Sequence, residues 1–209
     1  MNSRIQYLRE QLKRLNFDGM IVASPINIKY LTNIDLAEGL LLITRKENVF
    51  LTYTMFIEDV NSVLTINDEI IVMDFRNISK EDYENFFLFC ENVGFEEKYV
   101  TYENYQNLKQ KYKIHNFVET EGIIESQRII KDEGETQKIK KACEITDNCF
   151  KHLLKYIEKG MTEKEIALEI EVFFKTHGAE GLAFDTIVAV RRKQQQTASY
   201  TWREESRYS

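Results

Sequence analysis

Hydrophobic positions in the first half of the chain alternate between helical and strand spacing. Apolar residues recur every three or four positions from Ile5 to Leu15, which predicts an amphipathic helix. The turn at Asp18-Gly19 then leads into the short apolar strand MIVAS. The elements predicted after it, in chain order, are a helix at NIKYLT, a hairpin of GLLLIT and NVFLTY, a helix at MFIEDVNSV, a strand at DEIIVMDF, a helix at KEDYENFFLFCENV, a strand at KYVTYEN, a helix at YQNLKQKY and a strand at NFVET. This alternation is typical of a layered α/β domain, which we expect over residues 1–122.

The pattern then changes, and two long helices are predicted. The first runs over residues 131–158 and ends at Gly160, a residue suited to the positive φ of a helix terminus. Its apolar stripe consists of Ile139, Ala142, Cys143, Cys149, Phe150, Leu153, Leu154 and Ile157. The second helix begins with a capping box between Thr162 and Glu165 and stops at His177-Gly178.

The segment that follows, LAFDTIVAV, has the apolar, branched composition of a central strand. Two helices and one strand lack partner strands, so residues 123–190 should expose a large apolar face. Burying such a face contributes roughly 25 cal/mol per Å². We therefore expect residues 1–122 to fold independently, whereas residues 123–190 should be loosely packed, be sheltered by an oligomer partner, or aggregate.

Composition and charge argue against several classes of protein. A net charge of -6 and a pI of about 5.3 argue against general nucleic-acid binding. The charged, amphipathic N-terminal helix does not resemble a signal peptide, and no run approaches the roughly 20 apolar residues that span a bilayer. Cys90, Cys143 and Cys149 fit no CxxC spacing, which indicates reduced, mostly buried thiols and a cytoplasmic location.

Two blocks of sequence carry a resemblance to a known family. The segments ESQRIIKDEGETQKIKKACEITD and IEKGMTEKEIALEIEVFFKTHGAEGLAFDTIVA resemble the opening of the catalytic domain of aminopeptidase P and prolidase, the pita-bread metallopeptidases that cut Xaa-Pro bonds. The matching positions are Arg128, Lys131, Glu135, Ala142, Gly160 to Glu163, Glu165 to Ala167, Gly178 to Gly181 and Phe184 to Ala189. The segments SPINIKYLTNID and GLLLITRKENVFLTY resemble the creatinase-like N-terminal domain that precedes it. The resemblance covers about residues 1–190.

The resemblance implies an α/β creatinase-like domain over residues 1–122 and an incomplete pita-bread (α+β) domain over residues 123–190. Intact members bind two divalent ions (manganese, cobalt or zinc) through two Asp, one His and two Glu, all downstream of residue 190. No catalytic, cofactor-binding or metal-binding residue is therefore assigned in this chain. The expected function is hydrolysis of proline-containing peptides by a homo-oligomer, with this chain truncated and inactive as given. The alternative is a non-catalytic binding or oligomerisation module.

The segment 191–209 departs abruptly from the family pattern, which continues approximately as Ser-Gly-x-Asn-Ser-x-x-Pro-His. Codons compatible with this segment, read one base out of register, can spell Asn-Ser-x-x-Pro-His at the family's spacing. We therefore expect a frameshifted tail, arising from an authentic lesion in the gene or from a sequencing error. Its basic residues could contact nucleic acid, but Glu204 and Glu205 dilute the charge, and disorder is the better prediction.

The three histidines and one aspartate are the remaining candidates for chemistry. We expect His115 to be a surface residue, His152 to be peripheral, and His177 to lie at a helix end, where a cation is favoured. No HExxH motif is present, so a common type of metal site is not expected. Asp185 is expected to order neighbouring loops, because its matching family position is not a metal ligand.

Overall fold

The computed structural model describes residues 3–36, 38–65 and 69–189, and the chain divides into two compact units. The first unit comprises Met1–Ile130 and the second Lys131–Ser209. The segment 191–209, for which a frameshift is predicted, lies outside the described residues. No helix of the described part is long and apolar enough to cross a membrane.

The N-terminal unit contains six strands and six helices among its described residues. In chain order these are α1 (Ser3–Arg14), β1 (Gly19–Val22), α2 (Pro25–Thr32), β2 (Leu40–Thr44), β3 (Asn48–Thr52), α3 (Thr54–Val63), β4 (Ile70–Asp74), α4 (Lys80–Asn85), β5 (Asn92–Phe95), α5 (Tyr102–Lys111), β6 (Asn116–Glu119) and α6 (Ile123–Ile129). The predicted layered α/β architecture is confirmed.

The strands form one mixed sheet in the order β4-β3-β2-β1-β5-β6. The pairs β1–β2 and β2–β3 are antiparallel. The pairs β3–β4, β1–β5 and β5–β6 are parallel. The register places Ile21 of β1 opposite Leu42 of β2 and Phe95 of β5. Helices cover both faces, which explains why the central strands read as continuous apolar runs.

Each face of the sheet has its own hydrophobic core. The core on one face includes Ile5, Leu8, Leu12, Ile28, Leu31, Val60, Ile123 and Ile124. The core on the other face includes Tyr83, Phe87, Val93, Phe95, Tyr112 and Phe117. A close approach on the face of the first core requires Gly94, because a Cβ at this position would lie 2.4 Å from Thr120 Cγ2.

The second unit consists of two helices, α7 (Glu133–Tyr156) and α8 (Glu163–Thr176), which pack against each other. Asp132 and Thr162 begin them with capping boxes, so the box predicted at Thr162 and Glu165 is confirmed. The residues buried in these helices are Ile145, Cys149, Ile166, Ala167 and Phe173.

Much of the apolar stripe predicted on the first long helix is exposed. Phe150 is 62% exposed and Leu154 is 70% exposed, while Ile139 and Ile157 are each about half exposed. The predicted strand LAFDTIVAV joins no sheet within the described residues, and Phe184 and Ile187 on it are also exposed. The expectation that this part of the chain presents an apolar face is confirmed.

Two element predictions are wrong for physical reasons. The strand predicted at KYVTYEN is a turn followed by α5, because the Thr101 hydroxyl accepts a hydrogen bond from the Asn104 amide and begins a helix. The helix predicted at KEDYENFFLFCENV ends at Asn85. Strand β5 begins at Asn92, where the Asp18 carboxylate accepts hydrogen bonds from the Glu91 and Asn92 amides.

Two further predictions differ from the structure in detail. The units divide after Ile130 rather than at residue 122, because Ile123 and Ile124 of α6 are buried in the core of the first unit. The cysteines are not mostly buried. Cys149 is buried, Cys90 is half-buried and Cys143 is exposed.

Candidate functional site

A buried polar cluster lies where the parallel strands β1 and β5 end at the same edge of the sheet. We call it the Asn27 cluster, and it comprises Ser24, Asn27, Glu96, Glu125 and Arg128. Ser24 follows β1 closely and is the residue immediately before α2, while Glu96 comes directly after β5. The carboxyl ends of parallel strands are the usual place for binding crevices in α/β sheets, so this cluster is the first candidate site.

The Glu96 carboxylate is the centre of the cluster and is only 5% exposed. Its Oε2 accepts hydrogen bonds from the backbone amides of Ala23 at 2.6 Å and Ser24 at 2.8 Å. Its Oε1 accepts a third hydrogen bond from Asn27 Nδ2 at 2.6 Å. Burial raises the pKa of Glu96, and these three hydrogen bonds, which favour the charged form, oppose that rise.

Asn27 connects this carboxylate to α6. Its Nδ2 also donates to Glu125 Oε1 at 2.6 Å, and its Oδ1 accepts from Arg128 Nη1 at 2.9 Å. Asn27 is fully buried, and its amide is hydrogen-bonded at both ends. Because Glu96 is covered and hydrogen-bonded within the cluster, the cluster can fix the β1–α2 loop and α6. Glu96 does not present its carboxylate to a substrate.

The sequence does not reveal the Asn27 cluster as a unit. Arg128 is recognisable in it only as a position that matches the family, and Asn27 lies within a segment that carries the resemblance. Glu96 was missed because the strand before it was placed in a helix. An Asn in the first turn after a buried strand was the available signal.

The histidines of the second unit contact aromatic rings and one carboxylate. His152 Nε2 lies 2.6 Å from Glu169 Oε1, which joins α7 to α8. The ring centroids of His152 and Phe173 are 5.1 Å apart, and those of Phe173 and His177 are 3.7 Å apart. His152, predicted to be peripheral, is 38% exposed and makes these contacts at the edge of the packing between α7 and α8. His177 is the C-cap of α8, as predicted, and His115 is exposed, as predicted.

Within the described residues, no group of three or more His, Cys, Asp or Glu side chains could hold a metal ion. His152 and Glu169 could supply an imidazole and a carboxylate to a metal ion, but these two side chains are hydrogen-bonded to each other. Asp185 is exposed and makes no hydrogen bond within the part of the chain that the structure describes, so its predicted loop-ordering role is not seen.

The mixed sheet with helices on both faces, followed by two capped helices, defines a two-part chain of a recognisable class. Residues 4–130 match the model of the creatinase/prolidase N-terminal domain, and residues 137–202 match that of metallopeptidase family M24. The chain belongs to the creatinase/prolidase family, as its resemblance predicted. The second match extends past Val190 into the segment for which a frameshift is predicted.

Similar proteins include peptidases from archaea and bacteria. The Xaa-Pro dipeptidase of Pyrococcus horikoshii is 30% identical over 191 residues, covering 90% of this chain and 52% of that protein. The uncharacterized peptidase YqhT of Bacillus subtilis is 28% identical over 188 residues, covering 89% of this chain and 52% of that protein. This chain therefore spans about half the length of the curated relatives it matches.

Solved structures agree with this division. The Xaa-Pro dipeptidase of Bacillus anthracis matches with a TM-score of 0.79 at 26% identity, over 87% of this chain and 51% of that one. The N-terminal domain of the cytoplasmic peptidase PepQ from Mycobacterium tuberculosis matches with a TM-score of 0.53 at 21% identity, over 60% of this chain and 98% of that one. The second likeness shows the fold alone, and it shows that a domain of this fold has been crystallised by itself. The mixed α/β N-terminal unit followed by the start of a pita-bread domain is thus the fold of this chain.

Proposed function

We propose that this chain is the N-terminal part of a metal-dependent peptidase that hydrolyses peptide bonds before proline. The observation that carries the proposal is the order of the two family matches, 4–130 and then 137–202, on a single chain. The similarity to the Xaa-Pro dipeptidase of Pyrococcus horikoshii, 30% identical over 90% of this chain, supports the substrate class. We further propose that the protein acts in the cytoplasm.

The metal chemistry of this reaction depends on residues that the family carries after the segment matched here. A pair of divalent ions would polarise the scissile carbonyl and lower the pKa of a bridging water. The described residues of this chain do not fit such a pair, because His152 and Glu169 bond to each other and no third ligand joins them. We therefore derive no catalytic step from these residues.

We propose that the 209 residues by themselves have no Xaa-Pro peptidase activity. The test compares this chain with one extended by the rest of the family's catalytic domain, each assayed with an Ala-Pro dipeptide and an Ala-Pro-Gly tripeptide in the presence of Mn²⁺. We expect activity in the extended chain alone, and the preferred peptide would distinguish dipeptidase from aminopeptidase. Hydrolysis by the 209-residue chain, or two tightly bound ions in it by mass spectrometry, would contradict the proposal.

A second candidate function is assembly without catalysis, as a homo-oligomer or a binding module. The exposed apolar side chains on α7, among them Phe150 and Leu154, favour it. Multi-angle light scattering of the 209-residue chain tests it directly. A monomer at all concentrations, without binding to the extended chain, would count against this function.

We also propose that residues 191–209 are translated out of frame. The support is the change from the family pattern at Arg191, and the coding DNA across residues 189–195 is the direct test. Codons that cannot spell Asn-Ser in the shifted frame would refute it. The family match that continues to residue 202 in the present reading frame counts against a frameshift, so the coding DNA should be read before any extended chain is built.

A further inference from the structure

A basic groove in the N-terminal unit is separate from the Asn27 cluster and has no role in the proposed peptidase reaction. It has a volume of about 540 Å³ and lies between α4 and the C-terminal end of α5. We call it the lysine groove. Three lysines line it: Lys80 at the start of α4, Lys111 at the end of α5, and Lys113 just beyond. Its volume is within the range of small-molecule sites.

The charges of the lysine groove do not balance. Glu84 is its one acidic lining residue, and it is already paired with Lys113, whose Nζ lies 2.6 Å from Glu84 Oε2. Within the described residues, neither Lys80 nor Lys111 has a carboxylate within the 4.0 Å of an ion pair. Two lysines without an ion-pair partner among the described residues therefore line one groove of a chain whose net charge is -6.

Lys111 is held by aromatic rings rather than by an acid. Its Nζ lies 3.8 Å from the centroid of the Tyr83 ring and 5.6 Å from that of Phe75. Partial burial against these groups lowers the pKa of Lys111. The rings hold the ammonium group in place but leave it without a negative partner, so a bound anion would supply the missing charge.

The groove also has an apolar surface. Ile78 and Tyr83 line it, and both side chains are largely covered by the core beneath. A ligand that matches this surface carries an apolar or aromatic body next to a compact charge. Two ammonium groups match a dianion better than a monoanion, and lysine is a common point-charge partner of phosphate.

We propose that the lysine groove binds a small phosphate monoester, with the phosphate between Lys80 and Lys111 and the organic part against Ile78 and Tyr83. A monoester is close to a dianion at neutral pH, since its second pKa is about 6. Free phosphate shares the charged part of this chemistry. The two sources differ in the contact with Ile78 and Tyr83.

Binding is measured on the full 209-residue chain by amide chemical-shift titration at constant ionic strength, with phenyl phosphate, inorganic phosphate and benzoate as probes. We expect saturable shifts at the amides of Lys80, Tyr83 and Lys111, tightest for phenyl phosphate and weakest for benzoate. Equal affinity for inorganic and phenyl phosphate would support the phosphate site and assign free phosphate as its source. Benzoate binding as tightly as phenyl phosphate, or no saturable shift with either phosphate, would overturn the proposal.

Substitutions locate the site. Lys80→Gln and Lys111→Met keep most of each side chain, and each should weaken phenyl phosphate binding by about tenfold, the effect of losing one charge-assisted hydrogen bond. Lys46→Gln, in the exposed turn between β2 and β3, is the matched control and should leave the affinity unchanged. If all three variants bind like the parent, the phosphate binds elsewhere on the chain. If all three weaken equally, the interaction is general charge attraction. Either result would overturn the proposal.

Discussion

The two units of this chain use apolar residues in opposite ways. In the N-terminal unit, six strands and the helices on both faces cover nearly every large apolar side chain of the central strands. In the second unit, two helices bury a few residues between them and leave Phe150 and Leu154 on the surface. The helices of the second unit are nevertheless well defined at their starts, since α7 and α8 both begin with full capping boxes. Local helix signals thus do not depend on whether a core exists to receive the helix.

The largest expected difference between the units comes from truncating a matched pair of phenylalanines. Phe50→Ala removes a side chain that is 0% exposed in β3 and should lower the free energy of unfolding by about 3–5 kcal/mol. Phe150→Ala removes one that is 62% exposed in α7 and should change it by less than about 0.5 kcal/mol. Urea unfolding followed by circular dichroism measures both. Similar losses in the two variants would show that α7 is packed and would remove the contrast between the units.

The Asn27 cluster should give the next largest effect. Asn27→Ala removes donors to Glu96 and Glu125 and leaves the buried Glu96 carboxylate short of a partner, at a cost of about 1–3 kcal/mol. Asn61→Ala, on the exposed surface of α3, is the control and should stay within about 0.5 kcal/mol. The same urea titration applies. Equal stability of the two variants would mean that the cluster contributes nothing measurable.

The pH dependence of the same cluster follows from the raised pKa of Glu96. A carboxyl group whose folded pKa lies above its unfolded pKa contributes stability that is present below the unfolded pKa and lost as pH rises through the folded pKa. Glu96→Gln does not titrate at this position. The stability of the parent relative to Glu96→Gln should therefore fall as pH rises from acid through the folded pKa. A relative stability that rises instead would mean that the hydrogen bonds to Glu96 outweigh its burial.

Loss of a helix cap should destabilise the capped helix by the same amount in both units. Thr162→Ala in the second unit and Thr101→Ala in the first each remove a hydroxyl that accepts from a backbone amide, at about 1 kcal/mol of helix stability. Hydrogen exchange of the first amides of α8 and α5 reports each effect locally. A large effect at Thr101 with none at Thr162 would imply that α8 is not held as described.

The smallest expected effect is the coupling between His152 and Glu169. Their side chains are 38% and 24% exposed, and a pair with this exposure should contribute about 0.5 kcal/mol. A double-mutant cycle with His152→Gln and Glu169→Gln measures it through hydrogen exchange in α7 and α8. No coupling at any pH would show that the pair does not join the two helices.

Much of the fold could be predicted from the sequence where period and capping agree. The alternation from Ile5 onwards predicts the layered unit, and the capping box at Thr162 predicts the start of α8 within a residue. Prediction failed between residues 80 and 104, where aromatic residues fit helix and strand alike. In this region the Asp18 carboxylate accepts long-range hydrogen bonds from the Glu91 and Asn92 amides and sets the start of β5. No local sequence pattern reveals such bonds.

The candidate sites were less predictable for a related reason. The Asn27 cluster joins residues up to 101 positions apart, and its members are ordinary polar residues in sequence. The lysine groove depends on the loop before α4 meeting the end of α5. Tertiary contacts create both, whereas the family resemblance came from short local blocks.

Limited proteolysis of the 209-residue chain, with its mass checked by light scattering under the same conditions, tests the contrast between the units most directly. We predict that a monomer is cut first within residues 131–189 and leaves a resistant fragment ending near Ile130. A monomer in which residues 131–189 resist cleavage as long as the N-terminal unit does would contradict this account.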